Sequence, residues 1–253
     1  MSRAGSGAPS LGVVVPVYNE AATIQRACAE IANAVERYPG RARVIAVDDG
    51  SVDDSAAIME RLSDRLEVLE VVRHEENSGY GAALRTGARR AQDLGLDFVA
   101  FMDSDLTNPP SDLLKIGKLL EAGNEYVKGS RFVEGGGMSA VPASRRVISR
   151  VGNMVARPLF GTGVRDVTNG FRAVRTDLFL SWPLGERDFA VIVEELDWAL
   201  RSGLEPAEFP TVLTARTGEQ RATAFSYSPR LVLSYLRYPL RAAGRRLRGR
   251  SRG

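Results

Sequence analysis

The sequence predicts an α/β fold: a mostly parallel sheet flanked by helices, followed by a C-terminal basic amphipathic helix. Three observations carry this expectation. Short apolar runs alternate with stretches of helical period through the first half of the chain, the signature of right-handed βαβ units. Three of those runs end abruptly in polar or acidic clusters, and a parallel sheet gathers its ligand-binding residues at such strand ends. Residues 230–253 hold eight arginines and no acid, spaced so that basic and apolar side chains separate around a helix.

The elements follow in order. An apolar run over 11–17 ends in Tyr18-Asn19-Glu20, and a helical pattern then continues to about Tyr38, where Pro39-Gly40 stops it. A second run, 42–47, ends in Asp48-Asp49-Gly50-Ser51 and precedes a helix over 53–66. The third strand is expected at 66–72, with a glycine-bearing helix from Gly79 to about Gln92. The fourth, 98–102, leads into Asp103-Ser104-Asp105 and two prolines that start a helix over 110–122. A fifth strand is expected at 126–129. The second half is less regular. Gly135-Gly136-Gly137 reads as a loop, 145–160 as a basic helix, 167–174 as a strand, 191–201 as a helix and 208–213 as a strand. This half reads as an extension of the same sheet. Residues 1–10 read as a flexible leader, 11–228 as one domain and 229–253 as a basic tail.

Composition excludes several chemistries. One cysteine, Cys28, allows no intrachain disulfide, and it reads as a small apolar residue on a helix. One histidine, His74, leaves no material for a histidine-based zinc site, and it reads as structural. No run of 18 apolar residues occurs, so no transmembrane helix is expected. The first ten residues lack the apolar core of a signal peptide, and the chain is expected to be cytoplasmic. The net charge is +3, but with eight positive charges in the tail the preceding 229 residues are net −5. Nucleic acid is therefore not expected as a partner.

Asp103 and Asp105 carry the chemistry. Two acids one residue apart at a buried strand's end are costly unless a cation lies between them. Magnesium or manganese bound to phosphate oxygens suits such a pair; the alternative is a solvated acidic turn. There is no phosphate-cradling Gly-x-x-x-x-Gly-Lys loop and no Gly-x-Gly-x-x-Gly after the first strand. A nucleotide ligand would have to be held by acidic side chains and a metal.

Val15-Pro16-Val17-Tyr18-Asn19-Glu20, Val47-Asp48-Asp49-Gly50-Ser51, Asn77-Ser78-Gly79-Tyr80-Gly81-Ala82-Ala83 and Met102-Asp103-Ser104-Asp105 resemble the family 2 glycosyltransferases, which have a GT-A fold with a Rossmann-like sheet. Gly129-Ser130-Arg131 and Thr168-Asn169-Gly170-Phe171-Arg172-Ala173 make the chain look closer to the dolichol-phosphate mannosyltransferase and polyprenyl-phosphate glucosyltransferase branch. The resemblance spans roughly residues 11–225. It implies a nucleoside-diphosphate sugar donor, a divalent metal and inversion at the anomeric carbon. Position by position, it implies that Pro16, Tyr18 and Glu20 line the nucleotide pocket, Asp48 holds the base, and Asp49, Gly81 and Ser104 lie near the donor. Asp103 and Asp105 would face the metal and diphosphate. Arg131 would add a cation at the phosphates, unless it is a surface arginine at a strand end.

The acceptor is left with two readings. A polyprenyl or dolichyl phosphate is already ionised and needs no strong base; an alcohol needs one within hydrogen-bond reach. Glu195 in Glu194-Glu195-Leu196-Asp197 would be that base, the alternative being acids on an exposed helix N-terminus. Asn169, Arg216 and Arg221 would contact the acceptor or its phosphate. The chain departs from the branch at Thr107, where glutamine is frequent, at Asn169, where serine is usual, and around Arg216–Arg221, where the loop is shorter and lacks Ser-Lys. A protein that binds the donor but has lost transfer is a third reading. In the tail, Val232, Leu236, Leu240, Ala243 and Leu247 fall on one helical face and Arg230, Arg237, Arg241, Arg245 and Arg248 on the other, with Tyr235 and Tyr238 flanking. Such a helix suits an anionic membrane surface or docks on its own domain with its arginines solvated.

Overall fold

The computed structural model describes residues 7–139, 141–214 and 229–250. In chain order the first half consists of β1 (Leu11–Val17), α1 (Ile24–Glu36), β2 (Ala42–Asp48), α2 (Ser55–Ser63), β3 (Leu69–Arg73), α3 (Tyr80–Asp93), β4 (Phe98–Phe101), α4 (Leu113–Glu121) and β5 (Tyr126–Ser130). A single 3-10 turn, Pro110–Asp112, leads into α4. The second half adds β6 (Gly137–Met138), α5 (Ala143–Phe160), β7 (Arg172–Arg175), α6 (Thr176–Ser181), α7 (Val191–Arg201), β8 (Ala207–Pro210), β9 (Val212–Leu213) and α8 (Pro229–Arg250).

The main sheet has the order β3-β2-β1-β4-β7-β5-β8. All its pairs are parallel except those of β7, which runs antiparallel between β4 and β5. The apolar runs of β1 and β2 are continuous because both faces of the sheet are covered. Alternate side chains enter different cores. Val13, Val15, Val44 and Ala46 pack with α1 and α4, whereas Val14, Ile45 and Val47 pack with α3 and α7. A third cluster joins α5, α7 and α8 through Phe160, Val193, Leu196, Tyr238 and Ala242.

The chain lays β2 and β3 on one side of β1 and then crosses back to place β4 on the other. The order therefore switches between β1 and β4, the position at which open α/β sheets bind ligands. Because β7 is antiparallel, its first residue, Arg172, lies opposite Phe101 at the carboxyl end of β4. That register carries residues 166–171 to the same edge.

The expected extension of one sheet is observed, with local corrections. The strand expected over 167–174 is only Arg172–Arg175, because 166–171 is a turn held by side chains. The strand expected over 208–213 is two strands; the second pairs with Gly137–Met138, so Gly137 belongs to a strand. Helix α6 was not expected. Cys28 is buried on α1, and burial pushes its thiol up to about 12. Among the described residues no helix is long and apolar enough to cross a membrane.

The tail forms α8, but the docked face is not the one its apolar stripe suggests. Tyr238 and Ala242 are buried, while Leu240 and Leu247 remain 56% and 68% exposed. The phenols win because each reaches a polar partner on the domain. Tyr235 donates to the Phe189 carbonyl at 3.0 Å and Tyr238 to the Glu186 carboxylate at 2.7 Å, which a leucine cannot do. The Arg245 guanidinium pairs with Asp197 of α7. The side chains of Arg230 and Val232 lie outside the described residues.

Candidate active site

The loops after β1 and β2 are bound to each other. Asn19 N donates to Ser51 Oγ at 2.9 Å, Glu20 N to Ser55 Oγ at 2.8 Å and Val52 N to Asn19 Oδ1 at 2.9 Å. Asn19 adopts φ +54, a left-handed conformation that asparagine tolerates. Pro16 and Glu20 are half-buried at this edge, while Tyr18 beside them is 46% exposed, leaving its ring face open to a ligand.

Asp48 and Asp49 are adjacent in sequence and differ in use. Asp48 is fully buried at the end of β2. Its Oδ1 accepts from Ser51 N at 3.1 Å, and its Oδ2 has no hydrogen-bond donor, the Arg73 Nε lying 3.4 Å away without bonding geometry. A buried acceptor without a donor is costly, and a donor group on a ligand would remove that cost. Asp49 is instead engaged by the protein. It accepts from Ser78 N at 2.9 Å and Gly79 N at 2.8 Å, and pairs with His74 Nδ1 at 2.7 Å. These bonds hold the loop before α3. His74 completes this scaffold through Thr86 Oγ1 at 2.9 Å.

Asp103 and Asp105 stand half-buried on the loop beyond β4, with Ser104 buried between them. Thr107 N donates to Asp105 Oδ1 at 3.0 Å and the Tyr80 hydroxyl to Asp103 Oδ1 at 3.2 Å. Burial first, and then the Asp103 charge, hold the Tyr80 hydroxyl well above its usual pKa, so it stays a donor. Leu106 follows at φ +56. A branched residue in the left-handed region is strained, and such strain collects at functional loops.

Gly81 sits against the protein's own backbone. Its N–H donates to Arg187 O at 2.9 Å, and a Cβ there would lie 2.1 Å from Glu186 O. Gly79, at φ +97, would place a Cβ 2.5 Å from Arg187 O. Both glycines let the 185–188 segment close over the start of α3.

The second half is built on buried ion pairs. Arg131 donates to both oxygens of Asp166, at 2.7 and 2.8 Å, and to Thr168 Oγ1 at 2.9 Å. Burial pushes the Asp166 carboxyl up, but the charge and hydrogen bonds of Arg131 outweigh it and hold the carboxyl below its ordinary value. Arg131 thus holds the 166–171 turn. Asn169 is likewise turned inward: its amide donates to Gly129 O at 2.9 Å, its Oδ1 accepts from Phe171 N at 3.2 Å, and its carbonyl receives Lys128 Nζ. Asn153 of α5 braces the same turn, accepting from Val167 N at 2.7 Å and donating to Thr168 Oγ1 at 3.0 Å.

Glu195 is wholly buried and clamped by Arg172, whose Nε lies 2.9 Å from each carboxylate oxygen; Arg172 Nη1 also donates to Gly170 O at 2.6 Å. Both carboxylate oxygens of Glu195 are thus met by the protein's own guanidinium. The exposed-acid alternative fails, since Glu194 is buried and accepts from Gly185 N and Glu186 N at 2.9–3.0 Å. Lys128 lies in the same interior; burial first and then Arg172 push its pKa down to about 7, against the pull of Asp166 and Glu195. Arg216 and Arg221 lie outside the described residues. Sequence reading passed over Tyr80, Lys128, Asp166 and Arg172 as site-building residues. Arg172 and Tyr80 each stood inside a quoted motif, and only their contacts give them a role.

A doubly covered α/β sheet with acids gathered at its switch point is an architecture that binds ligands at that edge. The family model for Glycosyl transferase family 2 matches residues 12–181, and the chain belongs to that family of glycosyltransferases. It is 29% identical over 211 residues to polyprenol monophosphomannose synthase of Mycolicibacterium smegmatis, covering 81% of this chain and 77% of the relative. Dolichol-phosphate mannosyltransferase of Pyrococcus furiosus is 28% identical, over 86% of this chain and 61% of its own length. Undecaprenyl-phosphate mannosyltransferase of Micrococcus luteus is 31% identical, over 65% of each. The chain therefore spans less than two thirds of the last two. Among solved structures, glucosyl-3-phosphoglycerate synthase of Mycobacterium tuberculosis, crystallised with Mn2+, UDP and its product, superposes with a TM-score of 0.65 at 22% identity, over 93% of this chain and 80% of that one. This likeness bears on the GT-A fold.

Proposed function

We propose that the protein transfers a hexose from a nucleoside-diphosphate sugar, of the GDP-mannose or UDP-glucose type, to a polyprenyl or dolichyl phosphate, with inversion at the anomeric carbon and a divalent metal. The observation that carries this reading is the pair Asp103 and Asp105, half-buried on a strained loop at the sheet's switch point. The residues fit magnesium or manganese, because they offer hard oxygen donors. A metal held by one or two carboxylates takes its remaining ligands from substrate phosphates and water. Asp103 and Asp105 would hold it, and when bound it supplies charge stabilisation for the departing diphosphate.

The chain's own residues do the rest. Asp48 Oδ2 receives a donor of the nucleobase, and the exposed Tyr18 ring lines the nucleotide pocket with Pro16 and Glu20. An oxygen of the acceptor phosphate attacks the anomeric carbon opposite the leaving group. The new carbon–oxygen bond forms as the bond to the diphosphate breaks, and the nucleoside diphosphate leaves. An ionised phosphate has no proton to give up, so the engagement of Glu195 by Arg172 is no obstacle. The alcohol-acceptor reading would instead need Glu195 as base, and its carboxylate is already engaged by Arg172.

A lipid acceptor agrees with the outer surface. Helices α5 and α8 pack together in one cluster, and neither contains an acid. They leave Val147, Ile148, Val151 and Met154 of α5 and Leu233, Leu240 and Leu247 of α8 exposed. Apolar side chains among arginines suit an anionic bilayer, whereas a second copy would bring arginines against arginines. The opposite side of α5 carries Asn153, which braces the turn beside the site. The relatives that act on polyprenol, dolichol and undecaprenyl phosphates by name support the same acceptor class. Incubation with labelled GDP-mannose or UDP-glucose, manganese and polyprenyl phosphate in anionic vesicles should give organic-extractable label. Absence of such label with every donor, or transfer only to a water-soluble alcohol, would overturn the reading.

A further inference from the structure

The proposed metal site is connected to the C-terminal helix through three aromatic residues. Tyr80 opens α3 and places its hydroxyl 3.2 Å from Asp103 Oδ1. Its ring lies against that of Phe189, with centroids 4.4 Å apart and planes tilted by 32°. The Phe189 carbonyl accepts the Tyr235 hydroxyl of α8 at 3.0 Å. The segment between α6 and α7 is held at further points: Gly81 N to Arg187 O, Arg85 Nη1 to Glu186 O at 3.2 Å, Glu194 to the amides of Gly185 and Glu186, and Tyr238 to the Glu186 carboxylate. Phe189 therefore has little freedom to move away, and Tyr80 is pressed between it and Asp103.

A carboxylate on a loop rotates freely about its last bond. A metal ligand gains affinity when a neighbour fixes its orientation beforehand, because the ordering cost is then met on folding and not on binding. We propose that Tyr80 is a positioning residue that orients the Asp103 carboxylate for the metal-bound diphosphate, and that α8 supports it through Tyr235 and Phe189. This inference rests on the metal reading above. It gives the basic tail a second role, since the helix that offers its leucines outward also steadies a metal-facing acid at the other end of the aromatic chain.

Manganese titration followed by thermal shift, in saturating UDP and in parallel GDP, reads the proposal without any turnover. Tyr80→Phe keeps the ring contact with Phe189 and removes only the hydroxyl. It should raise the manganese concentration for half-saturation about tenfold, while leaving the metal-free melting point at the wild-type value. Tyr235→Phe should shift the same titration about threefold. Asp103→Asn serves as reference and should abolish the manganese response. If Tyr80→Phe titrates like wild type while Asp103→Asn does not respond, the positioning role is wrong and the metal reading stands. If Asp103→Asn also titrates like wild type, the metal reading fails and this inference falls with it. A shift in Tyr80→Phe with none in Tyr235→Phe overturns the contribution of α8. A lowered metal-free melting point in Tyr80→Phe with unchanged half-saturation marks the residue as packing only.

Discussion

Two acidic clusters invite the same reading in the sequence and receive opposite treatment in the fold. Asp103 and Asp105 follow β4 and keep part of their surface exposed beside the switch point. Glu194, Glu195 and Asp197 open α7, and all three are buried against donors: backbone amides, Arg172 and Arg245. A carboxylate whose oxygens are met by fixed cations and amides has its charge neutralised by the protein and little left for a ligand. Asp103 and Asp105 also meet protein donors, from Tyr80 and Thr107, but stay only half-buried at the end of the sheet. The difference between a structural acid and a ligand-binding one is thus set by what the tertiary fold brings to it.

The largest expected effect tests the structural side. Glu195→Gln leaves the Arg172 charge buried without its counter-ion and should cost about 3–5 kcal/mol of stability, read by denaturant unfolding. The double variant Glu195→Gln/Arg172→Met should recover much of that loss. Loss of transfer by Glu195→Gln with stability intact would restore the residue to a catalytic role. On the other side, Asp105→Asn should keep the fold and lower transfer roughly 10²- to 10³-fold, about 3–4 kcal/mol in barrier. An unfolded variant would place Asp105 with the structural acids.

Lys128 sharpens the comparison through pH. Its folded pKa, pushed down to about 7, lies below the ordinary 10.5. Between those values the unfolded chain holds a proton that the folded chain does not, so stability rises with pH across that window, by at most about 1.4 kcal/mol per pH unit. Below the window both states are protonated and the burial penalty is fully present. Lys128→Met should remove the slope in unfolding experiments between pH 7 and 10; an unchanged slope would show that the lysine keeps its proton. The smallest stability effect is expected on the outer surface. Leu247→Glu, at a side chain 68% exposed, should change stability by less than about 0.5 kcal/mol, yet weaken sedimentation with anionic vesicles. Unchanged vesicle binding would separate α8 from the membrane.

The first half was the more legible because its signals are local. A buried parallel strand must be apolar on both faces, so 11–17, 42–47 and 98–102 declare themselves, and the polar residues that end them mark the site edge. Asp48, Asp103 and Asp105 stand at such strand ends. The second half depends on pairings between distant residues. Asn169 and Arg131 carry side chains that suit a phosphate, and nothing near them in sequence announces Gly129, Lys128 or Asp166 as their partners. Gly81 looked like a ligand contact for a similar reason: glycine permits close approach of any backbone, and here the approaching backbone is the protein's own, at Glu186. The tail failed differently. Helical period separates apolar from basic faces correctly, but Tyr235 and Tyr238 sit between them, and which face docks depends on hydrogen-bond partners at Phe189 and Glu186.

By itself the sequence determined the alternation of strands and helices, the acids at the strand ends and the acid-free C-terminal helix, because periodicity and strand burial are properties of neighbouring residues. Tertiary structure alone decided which acids are fully buried against protein donors and which face of the last helix meets the domain. Those outcomes depend on counter-charges and donors delivered from far along the chain, and a buried charge is tolerated only where such a partner arrives.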